Sequence, residues 1–281
     1  MKKIFSIIKY EFSETIRRPK ILLVLFFIIV LYESTLSTMK NVCSETGLTL
    51  NIFEPFILMC TRSVNIILIP LIFIVLISEF PNCKTDYFRM IRISKCEWLI
   101  GEVAFLGLIS LLMLVVLIIG TAIPMIGVTE FSNAWSGFMT SLRENYPDIY
   151  LRNIRFTLEA NIITHSLPIS AVVYSLLIMW LNLMIYGLLI LLGDLASKRM
   201  ALIASTLSLA FLGGCSTLFN SGIKWIFPIT HTQLGQHFNS IFSKVNFPIF
   251  MSYVYLAAAV AVIIVICKQL LKTARFEENS L

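Results

Sequence analysis

LIGEVAFLGLISLLMLVVLIIGTAIPMIG, residues 99–127, is a continuous apolar run. At 1.5 Å per residue, about twenty helical residues cross a hydrocarbon layer ~30 Å thick, and this stretch exceeds that length. Comparable runs occupy about 21–40, 56–78, 167–192, 200–219 and 248–268. Inside lipid every backbone polar group needs a partner within the chain, so only helices or closed barrels are admissible. Barrel strands would alternate in polarity over about ten residues, and these runs do not alternate. The reading is an all-α polytopic membrane protein with six transmembrane helices. The third run is long enough to tilt, or to break near Pro124. The fifth carries Gly213 and Gly214 near its outer end, where close helix packing accounts for small residues.

Composition agrees with that pattern. Of 281 residues, 58% are apolar and 14% charged, with a mean hydropathy of +0.87. Soluble domains carry roughly 45–50% apolar and about 25% charged residues. The net charge of +6 fits lysines and arginines held at a membrane face. No basic run interleaved with aromatics speaks for nucleic acid, so that partner is set aside. Six cysteines lie scattered without metal-ligand spacing, and Cys83, Cys96 and Cys267 fall at expected cytoplasmic positions, where disulfides are rare.

The N-terminal stretch KKIFSIIKYEFSETIRR spaces Ile4, Ile8, Phe12 and Ile16 four apart, with Phe5 on an adjoining face. Lys2, Lys3, Lys9, Glu11, Glu14 and Arg17 supply the polar positions. The pattern predicts an amphipathic helix lying in the headgroup layer, and it lacks the apolar core and cleavage site of a signal peptide. Residues 1–20 are thus read as a cytoplasmic interfacial helix, 21–272 as the transmembrane domain and 273–281 as a cytoplasmic tail. With the N-terminus inside, the cytoplasmic cations are Lys2, Lys3, Lys9, Arg17, Arg18, Lys20, Lys84, Arg89, Arg92, Lys95, Lys198, Arg199, Lys268, Lys272 and Arg275. Only Lys40, Arg62, Arg143, Arg152, Arg155, Lys224 and Lys244 remain elsewhere. That bias has the sign of the positive-inside rule, and six crossings return the C-terminus to the same side.

The largest external segment, about 128–166, contains Trp135, Phe138, Tyr146 and Tyr150. It is expected to form one or two interfacial helices rather than a folded ectodomain. His165, His231 and His237 fall on the same side. HTQLGQH spaces the last two six apart, unlike the i, i+4 zinc pattern, and they read as solvated loop residues. No G-x-S-x-G, H-E-x-x-H or Walker sequence occurs. An intramembrane enzyme is therefore disfavoured, no cofactor is expected on this chain, and any ATP must be bound by another polypeptide.

The connection after the second run, SEFPNCKTDYFRMIRISKCEWLIGE (residues 78–102), carries more information. Glu79 and Pro81 end the run. A short helix can follow, exposing Tyr87, Phe88, Met90 and Ile91 among Asp86, Arg89 and Arg92. Ser94, Lys95, Glu97 and Trp98 then lead back into the membrane. Such apolar groups can rest on lipid headgroups, or fill a groove on a partner whose acidic rim pairs with the arginines.

With the amphipathic N-terminal helix, six runs, both termini inside, the Glu79 stretch and the Ser94-Lys95-x-Glu97-Trp98 re-entry, the chain resembles the type-2 ABC exporter permeases over essentially its whole length. Its small loops are similar to those of bacterial peptide, bacteriocin-immunity and drug exporters. The resemblance implies that residues about 82–94 form a coupling helix on a separate ABC ATPase subunit, which binds the ATP. It also implies two permease and two ATPase subunits per transporter, as a homo- or heterodimer of permeases in a bacterial cell membrane. The competing readings are a secondary transporter or channel working alone, and a membrane anchor or assembly factor.

Ionisable groups inside the runs are few. Glu33 lies ~18 Å along the first run and Arg62 ~24 Å above the inner end of the second, close enough in depth to pair or to face a polar cleft. A charge near a span centre costs about 2.5–3.5 kcal/mol on insertion scales, so a partner is expected, unless Arg62 snorkels outward. Asn65 beside Arg62 and Asn182 in the fourth run, with Tyr174 and Tyr186, are weaker candidates for lining a pathway.

Overall fold

The computed structural model describes residues 2–79, 93–217, 222–238 and 245–273. The chain folds as a polytopic helical membrane protein. Helix α1 (Lys2–Arg17) precedes α2 (Pro19–Thr46), which opens on a 3-10 turn and contains a π segment, Tyr32–Leu36. A two-residue strand β1 (Leu50–Asn51) leads into α3 (Glu54–Thr61) and α4 (Ser63–Ile77). Then follow α5 (Lys95–Ala122), β2 (Thr129–Glu130), the short α6 (Pro147–Asn153) and α7 (Ala160–His165), and finally α8 (Pro168–Leu195), α9 (Arg199–Ser216) and α10 (Ile249–Thr273). Among the described residues, five helical segments are long and apolar enough to cross a membrane, and α3 with α4 makes a sixth if that bent pair is one crossing.

The second crossing departs from the continuous helix expected over 56–78. Arg62 leaves helical conformation (φ −76°, ψ 128°), and the two halves stand 87° apart. An extended residue cannot continue the i to i+4 ladder, so the axis turns there. The turn lays α3 under the neighbouring chain, and Glu54 through Cys60 are all buried. The third crossing closes on a 3-10 turn, Ile123–Met125, around Pro124.

Helix α8 is the hub, packing against α4, α5, α9 and α10. Its Met179, Leu183, Leu188 and Leu191 share a core with Phe73, Ile77, Phe105, Leu106 and Ile109. Lipid tails are as apolar as leucine, so close fit rather than water exclusion holds such helices together. The glycines of α9 supply that fit. A β-carbon at Gly213 would lie 2.5 Å from Ile229 Cγ2, and one at Gly214 would overlap Ile67 of α4.

Helix α1 packs on α5. Its buried line is Ile7, Glu11 and Thr15, while Ile4, Ile8 and Phe12 are half-buried and Phe5 and Ile16 are exposed. The apolar face is therefore shared between protein and lipid, one line away from the predicted stripe. A β-carbon at Gly101 would stand 2.9 Å from Ile7, so glycine permits this approach. The same packing buries Trp98.

At the end opposite α1, residues 128–166 carry the short helices α6 and α7 and pack into a cap. Leu36, Met39, Leu50, Ile57, Met125, Phe138, Phe156 and Ile162 make a second core. β1 and β2 pair in parallel, Leu50 with Thr129 and Asn51 with Glu130. Tyr146 donates through its hydroxyl to the Thr46 carbonyl (3.1 Å), and Trp135 through its indole N–H to the Ser166 carbonyl (2.8 Å). The aromatics expected at a headgroup layer thus serve as internal ties.

Candidate functional site

At the α1 end, cations converge on the start of the 79–93 connection. Lys20 Nζ donates to Ser78 Oγ (2.9 Å) and pairs with Glu79 Oε1 (2.6 Å), and Arg18 also pairs with Glu79. From the other side Arg199 donates to the Ser78 carbonyl through Nε (3.1 Å) and Nη2 (2.7 Å), while its Nη1 contacts Asp194 at 3.2 Å. Where the chain returns, Ser94 Oγ accepts from the Glu97 N–H (3.2 Å), and the Glu97 carboxylate accepts from the Ser94 N–H (3.2 Å). This is a capping box, which satisfies free N–H groups of a helix N-terminus. The Ser94-x-x-Glu97 spacing that fed the family resemblance therefore has a purely local reason. Lys95 Nζ ties the return to the Leu271 carbonyl of α10 (3.1 Å). Both feet of the connection are anchored to the helix bundle. Asp86, Tyr87, Phe88, Arg89, Met90, Ile91 and Arg92 lie outside the described residues.

Glu33 and Arg62 are not brought together. Glu33 is exposed on the π segment, whereas Arg62 Nη1 donates to Thr35 Oγ1 (2.8 Å) and its guanidinium carbon lies 5.4 Å from the Phe156 ring centre. Arg155 approaches the same ring at 5.0 Å. The aromatic face takes the place of the expected carboxylate, because a ring quadrupole attracts a cation. Arg155 and Phe156 were not singled out from sequence; an arginine directly before an aromatic in the long 128–166 connection was the only signal.

Asn65 on α4 and Asn182 on α8 are both buried. Asn65, with Ser175 of α8 and Tyr253 of α10, carries buried polar atoms without hydrogen-bond partners among the described residues, while Asn182 lies against the Tyr186 hydroxyl of the same helix. Unpaired polar groups in a membrane bundle are costly, so this set marks where the bundle core departs from pure packing.

The cap is tied by Glu54, which is fully buried. Its Oε1 accepts from the Ser136 N–H (2.8 Å), and its Oε2 from Ser136 Oγ (2.7 Å) and the Asn51 N–H (2.9 Å). Asn51 in turn donates to the Ser132 (2.6 Å) and Ala134 (3.0 Å) carbonyls. The signal in sequence was an acid directly before Pro55, at the mouth of an apolar run.

The two later histidines are buried, not solvated. Residues Pro228–Thr232 and Leu234–His237 form 3-10 turns that fold both rings against Trp225 and Phe247. His231 bridges the Trp225 carbonyl (2.9 Å) and Ser252 Oγ (2.8 Å), so Nε2 donates and Nδ1 accepts from the hydroxyl. Burial pushes its pKa down to about 4, against the raising effect of the Trp225 carbonyl. His237 faces the Phe247 (2.8 Å) and His231 (3.1 Å) carbonyls, and burial lowers its pKa as well. Among the described residues no group of three or more His, Cys, Asp or Glu could hold a metal ion.

Comparison with protein-family models, curated proteins and solved structures finds no match to this chain. The class defined by the fold is that of a multi-pass helical membrane protein.

Proposed function

We propose that the chain is the membrane-spanning permease subunit of an ATP-driven ABC exporter in a bacterial cell membrane, with both termini cytoplasmic. One observation carries the reading: the anchoring of both feet of the 79–93 connection. A partner pressing on that connection acts on α2 through Arg18, Lys20 and Glu79, on α9 through Arg199 and Ser78, and on α10 through Lys95. In this reading Asp86 through Arg92 meet a separate ABC ATPase subunit. ATP-driven closure of paired ATPases moves the connection, and two permease subunits alternate between inward- and outward-open states. A peptide, drug or lipid-like substrate passes between them. The buried Asn65, Ser175 and Asn182 supply polar atoms that a rearranged bundle can turn towards that substrate.

Mild purification of the full chain from its native membrane tests this. The expected result is a stoichiometric ATPase that is lost when Tyr87 and Phe88 are replaced by alanine while the six-span fold is retained. Substrate transport by the chain alone in proteoliposomes, with no ATPase, overturns it in favour of a secondary transporter or channel.

A further inference from the structure

We propose that the cleft at the break of the second crossing binds the phosphate of a phospholipid headgroup between Arg62 and Arg155. The cleft has a volume of about 340 Å³ and is lined by Leu58, Thr61, Arg62, Val64, Arg155, Thr157 and Glu159. The two guanidiniums are drawn to one buried ring, Phe156, at 5.4 and 5.0 Å from its centre. Their separation therefore cannot exceed those two legs joined end to end. Among the described residues no carboxylate pairs with either of them. Two cations that converge on one ring and line one cleft favour an anion there. A guanidinium presents its donors in a planar fork that matches two phosphate oxygens. Thr61 and Thr157 add hydroxyls on the same lining. Because Arg62 is extended, α4 begins afresh there, and its first N–H groups have no partner in the preceding turn.

Glu159 does not close the site to an anion. Its carboxylate packs against Gly235, where a β-carbon would overlap Oε2, and it makes no ion pair with either arginine among the described residues. The apolar side of the lining selects a lipid over a soluble phosphate. Val64 is 66% exposed at the start of an apolar helix, and offers an acyl chain a surface beside the two arginines. Arg155 is exposed at the cap side, so charge and apolar surface meet at one rim. The inference does not require the transport reading, since the cleft lies at the opposite end of the bundle from the connection.

The test uses the full chain in detergent, with native mass spectrometry and thermal unfolding as readouts. Three probes are compared: phosphatidylglycerol, a diacylglycerol with the same acyl chains, and inorganic phosphate. The phospholipid is expected to bind at least about tenfold more tightly than the diacylglycerol, and R155Q to lose about tenfold of that affinity, the value of one charge-assisted contact. R155K, which keeps the charge but not the fork, is expected to fall between. Arg62 sits at the break and R62Q can misfold, so exposed Arg155 is the deciding position. Equal binding of the diacylglycerol, or unchanged binding by R155Q, overturns the proposal. Inorganic phosphate binding as tightly as the phospholipid overturns the lipid as its source.

Discussion

Replacing Glu54 by glutamine should release the cap from the helices beneath it. Three donors converge on the two carboxylate oxygens: the Asn51 N–H, the Ser136 N–H and the Ser136 hydroxyl. A glutamine has one acceptor oxygen and one NH₂. Placed towards Ser136 N–H, the NH₂ opposes one backbone donor; placed towards Asn51 and Ser136 Oγ, it opposes the other, and only the hydroxyl can turn to accept. One buried N–H is therefore orphaned in either orientation. A hydrogen bond contributes about 0.5–1.5 kcal/mol net, and an unsatisfied buried donor costs about 1–3 kcal/mol. These overlap in part, so about 3 kcal/mol is expected for E54Q, and more for E54A, which orphans both N–H groups. If the cap opens as a local unit, 3 kcal/mol is over a hundredfold in its opening equilibrium. Hydrogen exchange of the Asn51 and Ser136 amides in the detergent-solubilised protein reads this directly, with the α8 amides as an internal reference. Unchanged protection at 51 and 136 in E54Q would refute the argument that this carboxylate holds the cap.

Other perturbations follow from the same geometry. His231 has a folded pKa of about 4, against an ordinary imidazole near 6.5, so between those values the unfolded chain binds the proton first. Stability is then full above about pH 6.5 and declines as pH falls towards 4, by about 3 kcal/mol in total. Trp225, 5.3 Å from His231 ring to ring, reports this by fluorescence, and H231Q should flatten the slope. A flat wild-type profile would show the ring to be solvated. G214V should cost about 1–3 kcal/mol by forcing α9 away from Ile67 of α4, whereas A204V, outside that contact, should cost less; thermal unfolding of both distinguishes them. E79Q should barely alter stability, because Glu79 and Arg18 are 41% and 40% exposed and such pairs are worth about 0–1 kcal/mol. Under the transport reading it should nonetheless lower substrate-stimulated ATP turnover, and unchanged coupling would remove the anchor from the mechanism.

How much of this was legible in sequence depended on the length scale of each signal. Long apolar runs announce crossings because lipid leaves the backbone few alternatives, and the ends near Pro19 and Pro124 announce themselves through the missing N–H. The turn at Arg62 was not legible, since one backbone angle breaks the helix without any Gly or Pro to mark it. The cap was underestimated because its ties run from Tyr146 to the Thr46 carbonyl and from Trp135 to the Ser166 carbonyl, contacts distant in sequence. His231 and His237 do not fit an α-helical pair, but six residues are two turns of a 3-10 helix. Interrupted 3-10 turns are what the chain builds there. Arg62 was visible as a costly charge, yet its partner could not be guessed, because an aromatic ring and a hydroxyl stand in for the carboxylate sought.

Helix α4 joins the two places where the polar chemistry concentrates. Its first residue follows Arg62 in the cleft, and its last leads directly into Ser78 and Glu79 at the anchored foot of the connection. Fifteen residues span ~22 Å, so a rigid helix would carry a displacement from one end to the other undiminished. Pro70 stands in the middle of it. Lacking an N–H, Pro70 cannot bond the Ile66 carbonyl, and its ring crowds the preceding turn, so the helix is weakest to bending there. The same helix packs through Ile67 against Gly214 of α9 near its start, which fixes that half by close contact. A push at Glu79 therefore bends the half beyond Pro70 most readily and reaches the Arg62 cleft only after that hinge has been taken up. The two ends are coupled through a single compliant point rather than by a stiff rod.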